Sequence, residues 1–336
     1  MTQEHKSFQL TRRQLLKCGG TIAVASTVSW GQTAKTAPTA AEALSGFKME
    51  SRSLLMKAIG DKAFRGMFAK SMADELAKIE GKRPDELLLA LLPLARTAAR
   101  PPLSNFFVGA IVQGVSGNLY MGANIEVPGH ALGYTVHAEQ ASTANAYMSG
   151  ETGIASIAVT AAPCGHCRQF LNEMSLDGSI RVLLLGASPT KLSALLPMAF
   201  GPRDLGFKQG ALPVREAKLS LAAKSSDALV NMAVEAARKA YSPYTNSLSG
   251  VAIMTSDART FAGSYIENAA FNPSLPPLQA ALAGLFAAGR AADSIVRLTL
   301  VEEDSAKISQ ESAVRGTLKA LAPSARIEIL KVKRNG

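Results

Sequence analysis

The sequence is poor in aromatic and charged residues. Aromatic residues make up 6% and charged residues 18% of its 336 positions, and Trp30 is the single tryptophan. Aliphatic residues and alanine therefore have to supply most of the core. The hydrophobic fraction of 47% is large enough to exclude global disorder. A chain of this length usually forms two domains.

Cysteine is also scarce. Of the three cysteines, Cys164 and Cys167 form a close pair and Cys18 stands alone near the N-terminus. An odd number with one tight pair is not the pattern of a secreted disulfide scaffold. It indicates two metal thiolates and one unrelated thiol.

The formal net charge of +10 is not accompanied by a dense block of lysine and arginine. Part of the excess lies in the first 43 residues, and the rest is spread along the chain. Nucleic-acid-binding domains usually cluster their basic residues on one face or along one helix. We therefore expect a moderately basic surface and no nucleic-acid partner.

Residues 1–43 have the layout of an export signal. A twin-arginine-like pair, Arg12 and Arg13, precedes a mildly apolar stretch and then a run of small residues. The apolar stretch is too short to span a bilayer, so we expect no stable membrane association. We predict export to the periplasm by the twin-arginine route, with cleavage near Ala40 or Ala43. The alternative is a basic arm on a cytoplasmic protein.

The pattern of apolar residues changes once along the chain. Residues 44–95 have helical spacing, with Gly81 and Pro84 between two helices. After them we predict strands at 106–112 and 119–125, a helix at 138–148, a strand at 154–160, a helix at 164–174 and a strand at 180–185. This order predicts a sheet flanked by helices.

A faint internal repeat indicates a duplicated domain. The stretch at 102–110 resembles the stretch at 243–251. Three pairs are each separated by 141 positions: Gly109 and Gly250, Gly122 and Gly263, and Glu126 and Glu267. We predict two copies of one domain, at residues 96–203 and 221–334.

One copy carries residues suited to metal chemistry. His137 and Glu139 lie in a His-Ala-Glu-Gln sequence, and Cys164 and Cys167 lie in Pro-Cys-Gly-His-Cys. Catalytic zinc takes three protein ligands and leaves one position for water. An imidazole and two thiolates would hold one Zn²⁺ per subunit, and Glu139 would handle the protons of the activated water. This is the His-x-Glu and Pro-Cys-x-x-Cys pattern of zinc deaminases.

Other uses of the cysteine pair fit less well. A structural zinc site needs a fourth protein ligand, and His166 is poorly placed between the cysteines to provide it. A thioredoxin-like redox pair would not explain the His-Ala-Glu sequence. In the second copy the corresponding stretch is Pro276-Pro277-Leu278-Gln279, with no later cysteine pair. We expect the second copy to be a packing or interface domain, or a lid.

These stretches resemble the two-domain, homodimeric cytidine deaminases of enteric bacteria. The similarity covers nearly everything after residue 76, most specifically residues 101–126, 135–140, 163–170 and 263–279. It implies an α/β fold, a three-layer α/β/α sandwich around a mixed five-stranded sheet. It also implies an active first copy, a degenerate second copy and a pocket completed across the dimer.

The resemblance also implies roles for individual residues. His137, Cys164 and Cys167 match the zinc ligands, and Glu139 matches the catalytic proton shuttle. The positions that match substrate-binding residues are Asn124, Ile125, Glu126, Phe106, Ala138 and Phe200, and those that match residues reaching into the neighbouring subunit are Ala270 and Phe271. A polar residue is more usual at Phe107, and the loop Pro128-Gly129-His130 differs from that of the family.

The implied activity is hydrolysis of free cytidine and deoxycytidine to uridine and deoxyuridine plus ammonia, a salvage reaction. Two alternatives stay open. A polynucleotide deaminase would act on cytosine or adenine in RNA or DNA, but Glu126 near the ribose 3′-hydroxyl would repel a phosphate there. A non-enzymatic exported protein that binds a nucleoside or zinc would not need Glu139.

Overall fold

The structure is a computed structural model that describes residues 37–335. The predicted twin-arginine pair, Cys18 and Trp30 lie outside the described residues. All described residues belong to one compact unit. The helices in it are α1 Ala40–Ala43, α2 Met49–Gly60, α3 Lys70–Glu80, α4 Pro84–Arg96, α5 Ala138–Met148, α6 Gly165–Met174, α7 Leu192–Leu195, α8 Ala228–Arg238, α9 Pro277–Ala287 and α10 Glu311–Leu321. The strands are β1 Met67–Phe68, β2 Gly109–Gly114, β3 Leu119–Ala123, β4 Ile154–Val159, β5 Arg181–Leu183, β6 Thr190–Lys191, β7 Leu219–Leu221, β8 Ser249–Thr255, β9 Thr260–Ser264, β10 Ile295–Glu303 and β11 Arg326–Arg334.

The predicted boundary between two helices of the N-terminal segment is confirmed. Helix α3 ends at Gly81, which has a left-handed backbone (φ 64°) that glycine adopts without steric cost. Helix α4 begins with Pro84, where the missing N–H leaves no hydrogen bond unmade. The side chain of Glu86 accepts the backbone N–H of Arg83 at 2.8 Å, and this contact fixes the start of α4.

Two mixed sheets form the centre of the molecule. The first has the order β1-β3-β2-β4-β5-β6, and the second has the order β7-β11-β10-β8-β9. In each sheet one pair is parallel, β4 with β5 and β10 with β11, and the other pairs are antiparallel. The second sheet has the predicted five strands. The first has six because β1 adds an antiparallel strand to the outer edge of β3.

The predicted duplication is visible in matching contacts. A Cβ on Gly109 would meet the backbone of Arg96 in α4 at 2.7 Å, and a Cβ on Gly250 would meet the backbone of Ala237 in α8 at 2.2 Å. Both glycines let a helix lie directly on a strand, and both partner residues are again 141 positions apart. Helix α4 is thus a layer of the first sandwich, although we predicted that the catalytic domain begins at residue 96.

The first long strand begins later than predicted. The sequence pattern places residues 106–108 in it, but β2 begins at Gly109. Asn105 has a left-handed backbone (φ 53°), and the Asn124 side chain bonds the Phe106 carbonyl at 2.8 Å and the Val108 N–H at 3.0 Å. These contacts hold the segment as a loop beside the sheet.

The first sheet with its helices and the second sheet with its helices form two lobes, and a hydrophobic core runs between them. A smaller buried cluster, which includes Leu229 and Val301, lies within the second lobe. A continuous cluster of buried apolar residues includes Ala141 and Ala144 of α5 and Leu278 and Ala281 of α9. Helices α5 and α9 therefore pack on each other between the sheets and join the lobes. Within the described part of the chain, none of the helices has the length and apolar character needed to cross a bilayer.

Candidate functional site

The site lies where β4 ends and where α5 and α6 begin. His137 is the residue that precedes α5, and Cys164 is the residue that precedes α6. Both helices direct their N-terminal, electropositive ends at the same point. This field favours the thiolate form of the cysteines over the thiol form.

Three local contacts fix the position of His137. The backbones of Ile125 and Val136 exchange two hydrogen bonds of 2.9 Å, which hold His137 beside the end of β3. The side chain of Gln140 accepts the N–H of His137 at 3.2 Å, as in the reciprocal half of a capping box. A Cβ on Gly122 would meet the N–H nitrogen of Ser142 at 2.1 Å, so α5 rests directly on β3.

The structure brings the three predicted metal ligands together. His137 Nδ1 lies 3.5 Å from Cys164 Sγ and 3.2 Å from Cys167 Sγ, and the two sulfurs are 3.5 Å apart. Bond lengths to tetrahedral zinc predict separations of about 3.8 Å between sulfurs and about 3.6 Å between sulfur and nitrogen. The donors therefore fit one zinc ion after small adjustments.

No other group of three candidate donors converges within the described residues. The ring of His166 stacks on the ring of His137, with centroids 5.3 Å apart, and it is not one of the converging donors. The fourth position of a metal held by His137, Cys164 and Cys167 is left to water or substrate.

The cysteine pair differs in exposure and in proton affinity. Cys167 is fully buried, whereas Cys164 is exposed to the pocket. The hydrogen bond between the two sulfurs lowers the pKa of Cys164 to about 4 and raises the pKa of Cys167. A divalent cation bound there would hold both sulfurs as thiolates.

Glu139 lies in the first turn of α5 and is 4% exposed. Burial raises the pKa of Glu139, and the neighbouring His137 opposes that shift. A carboxyl group with a raised pKa can both release and accept a proton near neutral pH.

A cavity of about 290 Å³ opens onto these residues. It has nearly the volume of the smaller ligand pockets of proteins, which start at about 300 Å³. Of the residues that we predicted to bind substrate or metal, the cavity is lined by Phe106, Asn124, Glu126, His137, Ala138, Glu139 and Cys164. Cys167 lies behind this wall as the buried ligand.

Two predicted substrate residues are placed elsewhere in the described chain. The Ile125 side chain is buried in the core, and its backbone pairs with Val136 instead of lining the cavity. Phe200 does not line the cavity either. It is 47% exposed, and its carbonyl accepts a hydrogen bond of 2.7 Å from Gln169 of α6.

The predicted ribose-binding pair also holds a loop of the pocket. Glu126 accepts the N–H groups of Leu103 and Ser104 at 2.8 and 3.0 Å and the Ser104 hydroxyl at 2.5 Å. Asn124 holds the backbone of Phe106 and Val108 as described above. Each side chain keeps a free hydrogen-bonding position, because a carboxylate accepts about four hydrogen bonds and an amide nitrogen donates two.

Ser104 is a pocket residue that the sequence analysis missed. It lines the cavity and donates to Glu126. The internal repeat could have revealed it, since Thr245 in the second lobe likewise donates its hydroxyl to Glu267. Two hydroxyls 141 positions apart, each before an asparagine, are part of the repeated stretch.

The second lobe keeps this loop but not the metal ligands. Pro276 precedes α9 as His137 precedes α5, and Leu278 stands at the position of Glu139. Leu278 is fully buried. Within the described residues, the converging donor set lies in the first lobe.

A duplicated α/β sandwich with a His-Cys-Cys centre and a buried glutamate beside it defines the class of zinc-dependent deaminases. Residues 82–182 and 192–315 match two family profiles that share the description "Cytidine and deoxycytidylate deaminase zinc-binding region". The second match keeps this description although its lobe lacks the ligands.

Curated relatives cover most of the chain. The cytidine deaminase of Cronobacter sakazakii is 46% identical over 263 residues, which are 78% of this chain and 88% of that protein. The cytidine deaminase of Vibrio vulnificus is 45% identical over 259 residues, 77% of this chain and 87% of that protein. A crystal structure of cytidine deaminase from Mycobacterium tuberculosis is 30% identical, with a TM-score of 0.32, and covers 34% of this chain and 96% of that chain. The chain belongs to the cytidine and deoxycytidylate deaminase family, and its metal is zinc.

Proposed function

We propose that the protein hydrolyses free cytidine and deoxycytidine, with water, to uridine or deoxyuridine and ammonia. The observation that carries this proposal is the cavity that Glu139 and Cys164 share with Asn124 and Glu126. Metal chemistry and sugar-binding groups thus meet in a space of nucleoside size. Relatives at 45–46% identity that are cytidine deaminases support the same substrate.

The proton chemistry is assigned to Glu139. Zinc held by His137, Cys164 and Cys167 supplies the Lewis acidity that activates the attacking water. Glu139 takes the proton that this water loses and passes it to N3 of the pyrimidine as oxygen bonds to C4. Glu139 then moves the proton of the new C4 hydroxyl to the exocyclic nitrogen. The C4–N bond breaks, the C4 oxygen becomes a carbonyl, and ammonia leaves.

The remaining wall of the cavity selects a nucleoside. Phe106 offers an aromatic face to the pyrimidine, and the backbone at Ala138 borders the base. Asn124 and Glu126 offer their remaining hydrogen-bonding positions to the ribose hydroxyls. A carboxylate at this place repels the phosphate of a polynucleotide, so the free nucleoside is the favoured substrate.

The test compares substrates on the purified protein with its zinc quantified. Ammonia release is measured with cytidine, deoxycytidine and a cytosine-containing oligonucleotide, before and after chelation. We expect turnover of both nucleosides, loss of turnover on chelation and recovery with added zinc. Activity on the oligonucleotide alone would replace this function with polynucleotide deamination. Zinc binding without any turnover would indicate a binding protein.

We also propose that the protein is a homodimer whose Ala270 and Phe271 reach the partner's pocket. Phe271 is 62% exposed and has a left-handed backbone (φ 62°), a strained state that is often kept for function. Phe106 at the pocket is 41% exposed.

Mixing Glu139→Gln and Phe271→Ala subunits tests the arrangement, since a mixed dimer would contain one complete site. Recovery of activity is expected, and a monomeric, fully active Phe271→Ala variant would contradict it.

For location we propose export by the twin-arginine route, supported by Arg12 and Arg13 in the signal-like layout. Fractionation of bacteria that express the full chain should find it in the periplasm. An Arg12→Lys/Arg13→Lys variant should stay in the cytoplasm. A wild-type protein found only in the cytoplasm would contradict the proposal.

A further inference from the structure

Helix α6 follows the ligand Cys164 and contains the ligand Cys167, and its middle and its last turn are bonded to the second lobe. Cys167 lies in the first turn, Gln169 in the middle and Glu173 in the last turn. From Cys167 to Glu173 the helix rises about 9 Å. Contacts at Gln169 and Glu173 therefore act on the same rigid element that holds the Cys167 sulfur.

The first contact joins the Asn268 side chain to both the backbone and the side chain of Gln169. Asn268 of the second lobe donates its amide nitrogen to the backbone carbonyl of Gln169 at 2.9 Å. The Gln169 amide nitrogen lies 3.4 Å from the Asn268 side-chain oxygen and donates to it. Asn268 is fully buried, so this pair is shielded from competing water.

The second contact is stronger because it satisfies a buried carboxylate. Glu173 is fully buried. Its carboxylate accepts the hydroxyl of Tyr241 at 2.8 Å, the N–H of Ala269 at 2.9 Å and the hydroxyl of Tyr244. All three donors belong to the second lobe. Burying an unpaired carboxylate costs several kcal/mol, so Glu173 ties the end of α6 to these donors.

The third contact is on α5, the helix that presents His137 and Glu139. Gln140 accepts the N–H of His137 with its side-chain oxygen and donates its amide nitrogen to the carbonyl of Pro273 in the second lobe at 3.2 Å. Both ligand-bearing helices are thus bonded to the second lobe in the same chain.

The groups that donate hydrogen bonds to α6 lie in segments of the second lobe that repeat the pocket segments of the first lobe. Tyr241 and Tyr244 occupy the positions of Arg100 and Leu103, and Asn268 follows Glu267 as Val127 follows Glu126. In the first lobe these segments border the substrate pocket. In the second lobe the equivalent segments form hydrogen bonds with α6.

We propose that the second lobe positions the zinc site of its own chain, with Tyr241, Tyr244, Asn268 and Glu173 as positioning residues that set the sulfur geometry. This rests on the proposed function for its effect on turnover, but its effect on the metal is independent of any substrate. Groups bonded directly to metal ligands typically change metal affinity or activity by about 10- to 100-fold when they are removed, and residues that act through α6 should have an effect at or below the lower end of this range.

The test removes the two hydroxyls in a Tyr241→Phe/Tyr244→Phe variant. Tyr120→Phe is the matched control, since the Tyr120 hydroxyl donates to a carboxylate, Glu151, at 3.0 Å in the first lobe without touching α6. Zinc affinity is measured by chelator competition, and the absorption of the cobalt-substituted protein reports thiolate geometry. kcat and KM for cytidine are measured alongside.

We expect the double variant to lose up to about 10-fold in zinc affinity and in kcat, with little change in KM and a shifted cobalt spectrum. The control should keep the wild-type affinity and spectrum even where its thermal stability falls. Should the double variant fail to fold, Asn268→Ala, which leaves the Glu173 contacts intact, should show the same shifts at smaller size.

A folded variant with wild-type zinc affinity and cobalt spectrum would overturn the proposal. A wild type that binds zinc but does not deaminate cytidine would instead overturn the proposed function, and the metal measurements would still decide the positioning role.

Discussion

Glu126 and Glu139 line the same cavity, and both are buried. Glu126 accepts three hydrogen bonds from the loop at Leu103 and Ser104, which hold its carboxylate in a fixed orientation. Glu139 lies beside the metal ligands in a setting where burial raises its pKa. Two carboxyl groups in one pocket are thereby given different tasks, one in binding and one in proton transfer.

A Glu139→Gln variant should lose nearly all turnover and keep its zinc. The amide has the shape of the carboxyl group but cannot carry the proton, and a positioned general acid–base contributes about 10²- to 10⁴-fold to the rate. Ammonia release and zinc content should be measured on the same sample. Glu75→Gln, at an exposed position on α3, is the control for loss of one charge. Retained activity in Glu139→Gln would contradict the assignment.

The repeat offers a matched pair of hydroxyls. Ser104→Ala and Thr245→Val each remove a hydroxyl that donates to a buried glutamate. Both should lower the free energy of unfolding by about 1.5–3 kcal/mol, the usual value for a hydrogen bond to a charged group. Only Ser104→Ala should raise KM for cytidine, because only its loop borders the substrate cavity. Equal effects on KM, or none, would show that the loop does not position the substrate.

At the level of single residues, the sequence predicted the metal ligands well and the pocket wall incompletely. Zinc chemistry restricts residue type and spacing, so His137, Cys164 and Cys167 could be recognised in the sequence. The prediction of Phe200 and Ile125 rests on resemblance alone. Whether a side chain faces a cavity depends on loop packing that no local pattern encodes, and the structure turns both away from it.

Among the elements, the contact of α5 with β3 controls the site most directly. A Cβ on Gly122 would overlap the backbone of Ala141 and Ser142. A Gly122→Ala substitution must therefore push α5 away and shift His137 and Glu139 with it.

We expect Gly122→Ala to lower stability by about 1–3 kcal/mol, as overpacking does, and to lower kcat by more than this loss of folded protein explains. Urea unfolding and steady-state kinetics measure the two effects. Gly60→Ala is the control, because a Cβ on Gly60 would meet nothing within 4 Å. A fully active Gly122→Ala protein would contradict the role of this contact.

Helix α6 should give the molecule a recognisable pH dependence. Burial raises the pKa of Glu173, and hydrogen bonds from Tyr244, Ala269 and Tyr241 oppose that shift, while the nearby Glu267 adds to it. The folded protein therefore keeps this proton to a higher pH than the unfolded chain, whose glutamate pKa is about 4.3. Glu173 contributes its full stabilisation below the unfolded pKa of about 4.3. This contribution falls as the pH rises through the pKa of Glu173 in the folded protein.

Wild type should accordingly lose stability relative to Glu173→Gln as the pH rises above the ordinary glutamate pKa of about 4.3. The measurement is the difference in free energy of unfolding between the two proteins at each pH. The titration of all the groups that the two proteins share cancels in this difference. Glu75→Gln, at an exposed position on α3, is the control for the loss of one carboxyl group. A flat difference for Glu173→Gln would mean that folding does not raise the pKa of Glu173.

Element prediction succeeded where a run of helix formers ends at a clear stop signal. Helix α5 has the predicted limits, 138–148, because a run of good helix formers ends at a glycine. The two-residue strands β1 and β6 were not predicted. Their pairing depends on which distant strand offers a free edge, and a window of two residues contains no periodic signal.

At the scale of the whole molecule, the sequence predicted the duplication. It did not predict that a hydrophobic core runs between the two copies. The spacing of 141 positions identifies two copies from the sequence alone. The sequence did not indicate that α5 and α9 would pack on each other, since both helices are buried on nearly all sides and have no exposed polar face. Such helices give no amphipathic signal of their partner.

Because one buried cluster spans both lobes, the described chain should unfold as a single cooperative unit. Zinc binds only the folded site, so its removal should lower the midpoint of the entire transition. At free zinc about 1,000-fold above Kd the stabilisation is about 4 kcal/mol. With about 2–4 °C per kcal/mol for a large domain, chelation should lower Tm by on the order of 10 °C.

Calorimetry at fixed protein concentration tests this, with magnesium as the control metal that should not restore Tm. Two separate transitions, of which chelation moves only one, would show that the lobes fold independently and that the second lobe is not coupled to the metal site.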